Sequence, residues 1–213
     1  MCDVVERAVG GLPLLVLRHP REVDHVLGSA DLVGAYLADG RVVTGLSWRH
    51  LAAAWPGSLP APVGRWAVVF PHAWPRPGPP PAPGAAEVVT AAGVPLPAHE
   101  LGGLVVLDGA WSQAKTLWWR NPWLRDLNRM RLTPAAPTIY GRLRRQPRAD
   151  TCTSTLEAAA AALLAVGGAA EAATRMQRGL RTLVQRVRDA AALQARENFG
   201  KRRRSSESTP KRA

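Results

Sequence analysis

Short apolar runs rich in valine and leucine recur along the chain, separated by stretches whose apolar positions fall at helical spacing. LPLLVLRHP (12–20), RVVTG (41–45), RWAVVFP (65–71), AEVVTA (86–91) and LGGLVVLDG (101–109) have the length and composition of buried strands. Between them REVDHVLGSADLVGAYLADG (21–40) and SWRHLAAAW (47–55) read as helices. Apolar runs without strict alternation, separated by helices, predict a mainly parallel sheet covered on both faces, so the fold class is α/β.

Further along, Trp111 to Arg120 reads as a helix stopped by Asn121-Pro122. TCTSTLEAAAAALLAVGG (151–168) contains the box Ser154-x-x-Glu157, in which hydroxyl and carboxylate satisfy each other's exposed amides. An alanine-rich helix follows, with Gly167-Gly168 as its stop. A second helix, 170–197, places Met176, Leu180, Leu183, Val184 and Val187 on one face and arginines around the rest. The proline-rich segment 71–86 can be neither helix nor central strand and is expected to be a stiff surface loop. These elements make one domain over 1–199, followed by a basic tail over 200–213 whose composition predicts disorder.

At 213 residues and 46% hydrophobic, the chain can bury one core. No uncharged apolar run is long enough to cross a membrane, and the start of the chain lacks the pattern of a secretory signal, so a cytoplasmic location is expected. Cys2 and Cys152 cannot form a disulfide framework or a zinc ribbon and are expected to be free thiols. The net charge of +12 is unevenly placed. Residues 1–107 carry 7 Lys/Arg against 8 Asp/Glu, 108–199 carry 15 against 7, and 200–213 carry 6 against 1. That asymmetry favours a polyanionic partner, a nucleic acid before a membrane, over a basic surface that serves solubility alone.

The most unusual stretch is VVLDGAWSQAKTLWWRNPWL (105–124), an apolar run closed by one acid and followed by four tryptophans within 111–123. Asp108 falls at the carboxyl end of a strand, where open α/β sheets bind ligands. It can cap the following helix or act chemically, and spacing alone leaves both open. Trp111, Lys115 and Trp118 share a helix face by spacing, and two or three of the tryptophans are expected to serve as core or lid.

Five blocks taken in order narrow this choice. LRHPREVDHVLGSADLVGAYL (17–37), VVFP (68–71), VLDGAWSQAKTLWWRNPWL (106–124), PTIYGRLRRQP (137–147) and STLEAAAAAL (154–163) together resemble the DTW-domain family. The resemblance covers about residues 12–165. It implies a SPOUT-like sheet flanked by helices, with a C-terminal knot that binds S-adenosylmethionine. It also implies transfer of the 3-amino-3-carboxypropyl group to N3 of a uridine in tRNA, and it admits a homodimer.

That reaction needs the donor held with its Cγ in line with the uridine nitrogen, and it needs an acceptor for the N3 proton. Asp108 matches the family's acid. Because an ordinary aspartate, pKa about 3.9, is a weak base for that proton, either burial against tryptophan raises it or it acts as a hydrogen-bond acceptor. The resemblance places Trp111 against the donor's amino acid end and Thr153, Ser154, Thr155 and Glu157 along its adenosine side. Ser29, Pro71, Leu107 and Gly109 fall in the matching blocks as further donor-binding positions. Lys115, Arg120, Arg142, Arg144 and Arg145 are the expected phosphate contacts.

Departures from the family pattern bear on the site. The usual cysteine-rich zinc segment has no counterpart here, Gly28-Ser29 stands where the family has Asn-Thr, and Ala110 replaces a threonine beside the acid. His19 and Glu22 lie in a shared block, but a histidine at a helix start is commonly structural, and His25, His50, His72 and His99 show no metal spacing, so no metal is expected. Two other readings stand beside the transferase: a SPOUT methyltransferase with the same donor, and an RNA-binding relative without activity.

Overall fold

The computed structural model describes residues 11–69, 82–140, 143, 153–168 and 170–207. Six strands form one sheet: β1 (Leu14–Arg18), β2 (Gly40–Thr44), β3 (Trp66–Val69), β4 (Ala86–Val89), β5 (Gly103–Asp108) and β6 (Asn128–Leu132). Their spatial order is β2-β1-β5-β3-β6-β4. Every pairing is parallel except that of β4 with β6 at the edge. The expected α/β class and mainly parallel sheet are thus what the chain adopts.

Alternate residues of each central strand feed two cores. Leu14, Val16, Leu104 and Val106 pack under α1 (Ala30–Tyr36), α4 (Thr155–Ala165) and α5 (Ala170–Glu207). Leu15, Leu17, Val105 and Val68 face α2 (Leu51–Ala54) and α3 (Trp111–Arg120). Being apolar on both faces is what removed strict alternation from these strands in the sequence. Gly103 fits the same scheme, because a Cβ there would lie 2.5 Å from the buried Trp66 ring.

β6 escaped the sequence reading. Its NRMRL pattern buries Asn128 and Met130 while Arg129 and Arg131 stay half-buried. The Arg131 guanidinium donates to Glu87 on β4 at 2.8 Å, directly across the antiparallel pair. Two cations in five residues resemble a basic surface segment until the partner strand with its acid is known.

The helix expected over 21–40 is mostly loop. A 3₁₀ turn spans Pro20–Glu22, and α1 begins only at Ala30. In between, Asp24 adopts φ 65° and the His25 imidazole accepts from the Leu27 amide at 3.1 Å, local bonds that compete with helix. Gly28 is required there, since a Cβ would meet the His25 carbonyl at 2.9 Å. The helix expected over 47–55 likewise shortens to α2, capped by His50 through its acceptance from the Ala53 amide at 3.0 Å.

The two C-terminal helices match their signals. Ser154 and Glu157 form the reciprocal cap, and α4 ends in a Schellman turn in which Gly167 takes φ 75° and the Gly168 amide donates to Leu163 at 2.8 Å. Met176, Leu180 and Val184 of α5 are fully buried, with Leu183 and Val187 packed beside them. A Cβ at Gly179 would fall 2.3 Å from the Tyr36 ring, so the glycine is what lets α5 approach α1. Against the disorder expected over 200–213, α5 continues to Glu207. Lysine and arginine are good helix formers, extending an existing helix needs no new nucleus, and cations near a helix C-terminus complement its dipole.

Asn121, part of the helix stop in the sequence, is fully buried and ties two segments together. Its side-chain amide donates to the carbonyls of Leu46 (3.0 Å) and Leu117 (2.7 Å), and its oxygen accepts from the Trp48 amide (2.8 Å). Trp123 closes the same corner by donating to the Trp48 carbonyl at 2.9 Å. Asn121→Ala strands three backbone groups, that of Leu117 buried and those of Leu46 and Trp48 partly so, and is expected to lower the unfolding free energy by about 2–3 kcal/mol, measurable from urea midpoints.

Candidate functional site

The connection after β1 runs through α1 on one face to β2, whereas that after β5 runs through α3 on the opposite face toward β6. Adjacent parallel strands whose connections leave in opposite directions open a crevice at their carboxyl ends. Asp108 sits at that point, and its register partner on β1 is Arg18. Aligned residues on parallel strands share a face, so the guanidinium and the carboxylate lie on the side covered by α1 and α4. Arg18, which sequence reasoning did not single out, donates to Thr44 at 2.9 Å and to both oxygens of Asp31 at 2.8 Å.

Asp108 is 3% exposed. Its Oδ1 accepts from the hydroxyl of Thr155, the first residue of α4. Helix α3 is capped at Ala110, whose amide donates to the Gln113 side chain, and not at Asp108. Capping of α3 therefore does not account for the acid. Gly109 keeps the turn tight: a Cβ would lie 2.8 Å from that of Gln113 and 3.4 Å from that of His19.

Around this acid the structure gathers several of the expected residues. Ser29 is buried, and its hydroxyl accepts from the Leu156 amide at 3.4 Å, joining the start of α1 to the start of α4. Ser154 and Thr155 lie on the same helix terminus. Glu157 accepts from the Ser154 amide and the Thr138 hydroxyl at 2.7 Å and from the Ile139 amide at 2.9 Å. With both oxygens so engaged, Glu157 pins the 138–140 segment to α4. Tyr140 extends the pin, its buried hydroxyl donating to the Leu27 carbonyl at 2.6 Å. Thr138 and Tyr140 lie in a block that marked the family resemblance, but nothing in their spacing gave them a partner.

Leu107 points the other way, into the cluster beneath α3, because strand neighbours alternate faces. The tryptophans divide similarly. Trp118 is buried and Trp123 packs against the same core, whereas Trp111 is half-buried with the Lys115 ammonium 5.4 Å from its ring centroid. Trp111 and Lys115 thus pair one helical turn apart at the start of α3. Arg120 ends the helix and is exposed. Pro71, Arg142, Arg144 and Arg145 lie outside the described residues, as do Cys2 and Cys152.

A cleft of about 340 Å³ opens beyond the carboxyl ends of β3 and β6. Val69, Leu132, Thr133 and Pro134 form one side, and Thr153, Ala158 and Ala161 the other. Alanines dominate its lining, with Thr133 and Thr153 among the polar residues.

His19 borders the crevice. It is 8% exposed, its amide donates to the Asp108 carbonyl at 3.0 Å, and its Nδ1 accepts from the Arg21 amide at 3.2 Å. Burial holds the imidazole below its ordinary pKa of 6.5; the Arg21 charge adds to that effect and Glu22 opposes it. The unfolded chain therefore takes up this proton first, so the stability due to neutral His19 is present above pH 6.5 and is lost as pH falls through that value toward the folded pKa. His19→Asn keeps a capping acceptor, and urea titrations at a series of pH values are expected to show a shallower acid-side loss for the variant.

Fold and crevice together define an open α/β protein with its candidate site at a topological switch point. The chain belongs to the DTW-domain family, whose model matches residues 1–188. Membership associates it with enzymes of tRNA modification. No curated protein and no solved structure matches the chain. Among the described residues no helix is long and apolar enough to cross a membrane.

Proposed function

We propose that this protein transfers the 3-amino-3-carboxypropyl group of S-adenosylmethionine to N3 of a uridine in tRNA, releasing methylthioadenosine. The observation that carries this reading is the acid of the family's own motif, Asp108, buried at the switch point and held by a hydroxyl from α4. In this reading the cleft between β3, β6 and α4 takes the donor's adenosine, with alanines for the purine and Thr133 and Thr153 as hydrogen-bonding residues. The fold is read as SPOUT-like, with a C-terminal knot that would bind the donor.

When bound, the donor supplies an electrophilic carbon next to a sulfonium. The chain's part is orientation and proton handling. An N3–Cγ bond forms, the S–Cγ bond breaks, and the N3 proton passes to an acceptor. Asp108 is that acceptor, directly or by taking the hydrogen bond as charge leaves the nitrogen, with Thr155 fixing the carboxylate. Trp111, the first residue of α3, follows the acid by three residues, and in this reading it walls the donor's amino acid end.

The test is incubation of the purified protein with S-adenosylmethionine and unmodified tRNA transcripts, followed by nucleoside mass spectrometry and an assay for methylthioadenosine. Aminocarboxypropyl-uridine with stoichiometric methylthioadenosine is the expected result. Methylated nucleosides with S-adenosylhomocysteine would overturn it in favour of a methyltransferase, and absence of both products would overturn it in favour of an RNA-binding relative.

A further inference from the structure

We infer that the outer ridge of α3 is a stacking platform for an unpaired base of the RNA substrate, with Trp119 as its surface and Arg125 as its cation. The inference rests on the proposed RNA reading and adds a subsite to it. Trp119 is 66% exposed, an uncommon state for an indole, which normally buries its large apolar area. The Arg125 guanidinium carbon lies 5.9 Å from its ring centroid. That contact restrains the ring and places positive charge where the phosphate of a stacked nucleotide would run.

The ridge leads to the site. Trp111, Lys115 and Trp119 follow one another at four-residue spacing, so they line one side of α3 from the turn after Asp108 outward. Trp119 lies about 12 Å along the axis from Trp111, a distance that suits a neighbour of the nucleotide entering the crevice rather than that nucleotide itself. Lys115 and Arg125 are exposed beside this ridge, and the exposed Arg120 follows Trp119 at the end of α3. Aromatic surface alternating with cations is the composition by which proteins hold single-stranded nucleic acid, and recognition of RNA concentrates on unpaired loops whose bases can stack outward. A protein partner or a second copy of the chain would be served by a wider apolar patch, whereas the ring of Trp119 lies beside the Arg125 guanidinium and the exposed Arg120 follows it in the chain.

The experiment is fluorescence anisotropy with an unmodified tRNA transcript and with a short single-stranded uridine-containing RNA, over a range of salt, using wild type, Trp119→Ala, Trp119→Phe and Arg120→Ala. Trp119→Ala is expected to weaken binding of both RNAs about tenfold or more, with an unchanged salt slope because no counterion-releasing contact is lost. Trp119→Phe is expected to restore much of the loss, and Arg120→Ala to reduce the salt slope by about one unit. Since the indole is exposed, the circular dichroism of the alanine variant should match wild type. Unaltered affinity in Trp119→Ala, beside a weakened Arg120→Ala, would overturn the platform and leave the RNA reading standing. No RNA binding by wild type would overturn both. A dimer of wild type that Trp119→Ala converts to monomer in sedimentation, with RNA affinity unchanged, would overturn the platform in favour of self-association.

Discussion

Asp108→Asn is expected to abolish formation of aminocarboxypropyl-uridine, with a rate loss of about 10²–10⁴-fold, while tRNA binding and the thermal transition stay close to wild type. The amide is nearly isosteric with the carboxylate and can still accept from Thr155, so little packing changes at this 3% exposed position. What disappears is the charge proposed to receive the N3 proton. Thr155→Val separates positioning from chemistry. It keeps the carboxylate but removes the hydroxyl that orients it, so a smaller loss, confined to kcat with KM for tRNA unchanged, is expected. Nucleoside mass spectrometry over a time course reads both variants. An Asp108→Asn protein as active as wild type would remove the acid from the mechanism.

Glu157→Ala is expected to be the most damaging single change to the architecture of the site, at about 2–4 kcal/mol of unfolding free energy. It removes half of the α4 capping box and the shared acceptor of Ser154, Thr138 and Ile139. Those bonds to a charged acceptor hold the 138–140 segment, and through Tyr140 the Leu27 loop, against the start of α4. Because Thr155 belongs to the same turn, the carboxylate of Asp108 loses its support as well. Activity should therefore fall further than the stability loss alone accounts for. Glu157→Gln retains one acceptor and one possible box partner and is expected to lie between. Urea denaturation compared with donor-dependent turnover checks both, and a Glu157→Ala protein of wild-type stability would show that other contacts hold α4.

These two positions differ in how they could be read from the chain. Glu157 was legible as a cap from Ser154-x-x-Glu157 alone, since the box is a local geometry within one turn. Its bonds to Thr138 and Ile139 were not, because no local rule connects residues nearly twenty apart. Asp108 was legible as a strand end, with capping and chemistry both open until the structure put Ala110 at the cap and Thr155 at the carboxylate.

The sequence by itself determined the five apolar strands, helix α3 with its stop, the capped α4 and the buried stripe of α5, because each follows from spacing along a few consecutive residues. Tertiary structure decided the rest. It made β6 a strand by pairing Arg131 with Glu87, turned 23–29 into a loop around a buried Ser29, and assigned the four tryptophans of 111–123 to core and surface. It also placed Arg18 beside Asp108. Such pairings depend on which strands become neighbours and which helix terminus meets which loop. That information is carried by the packing of the whole chain, not by any window of it.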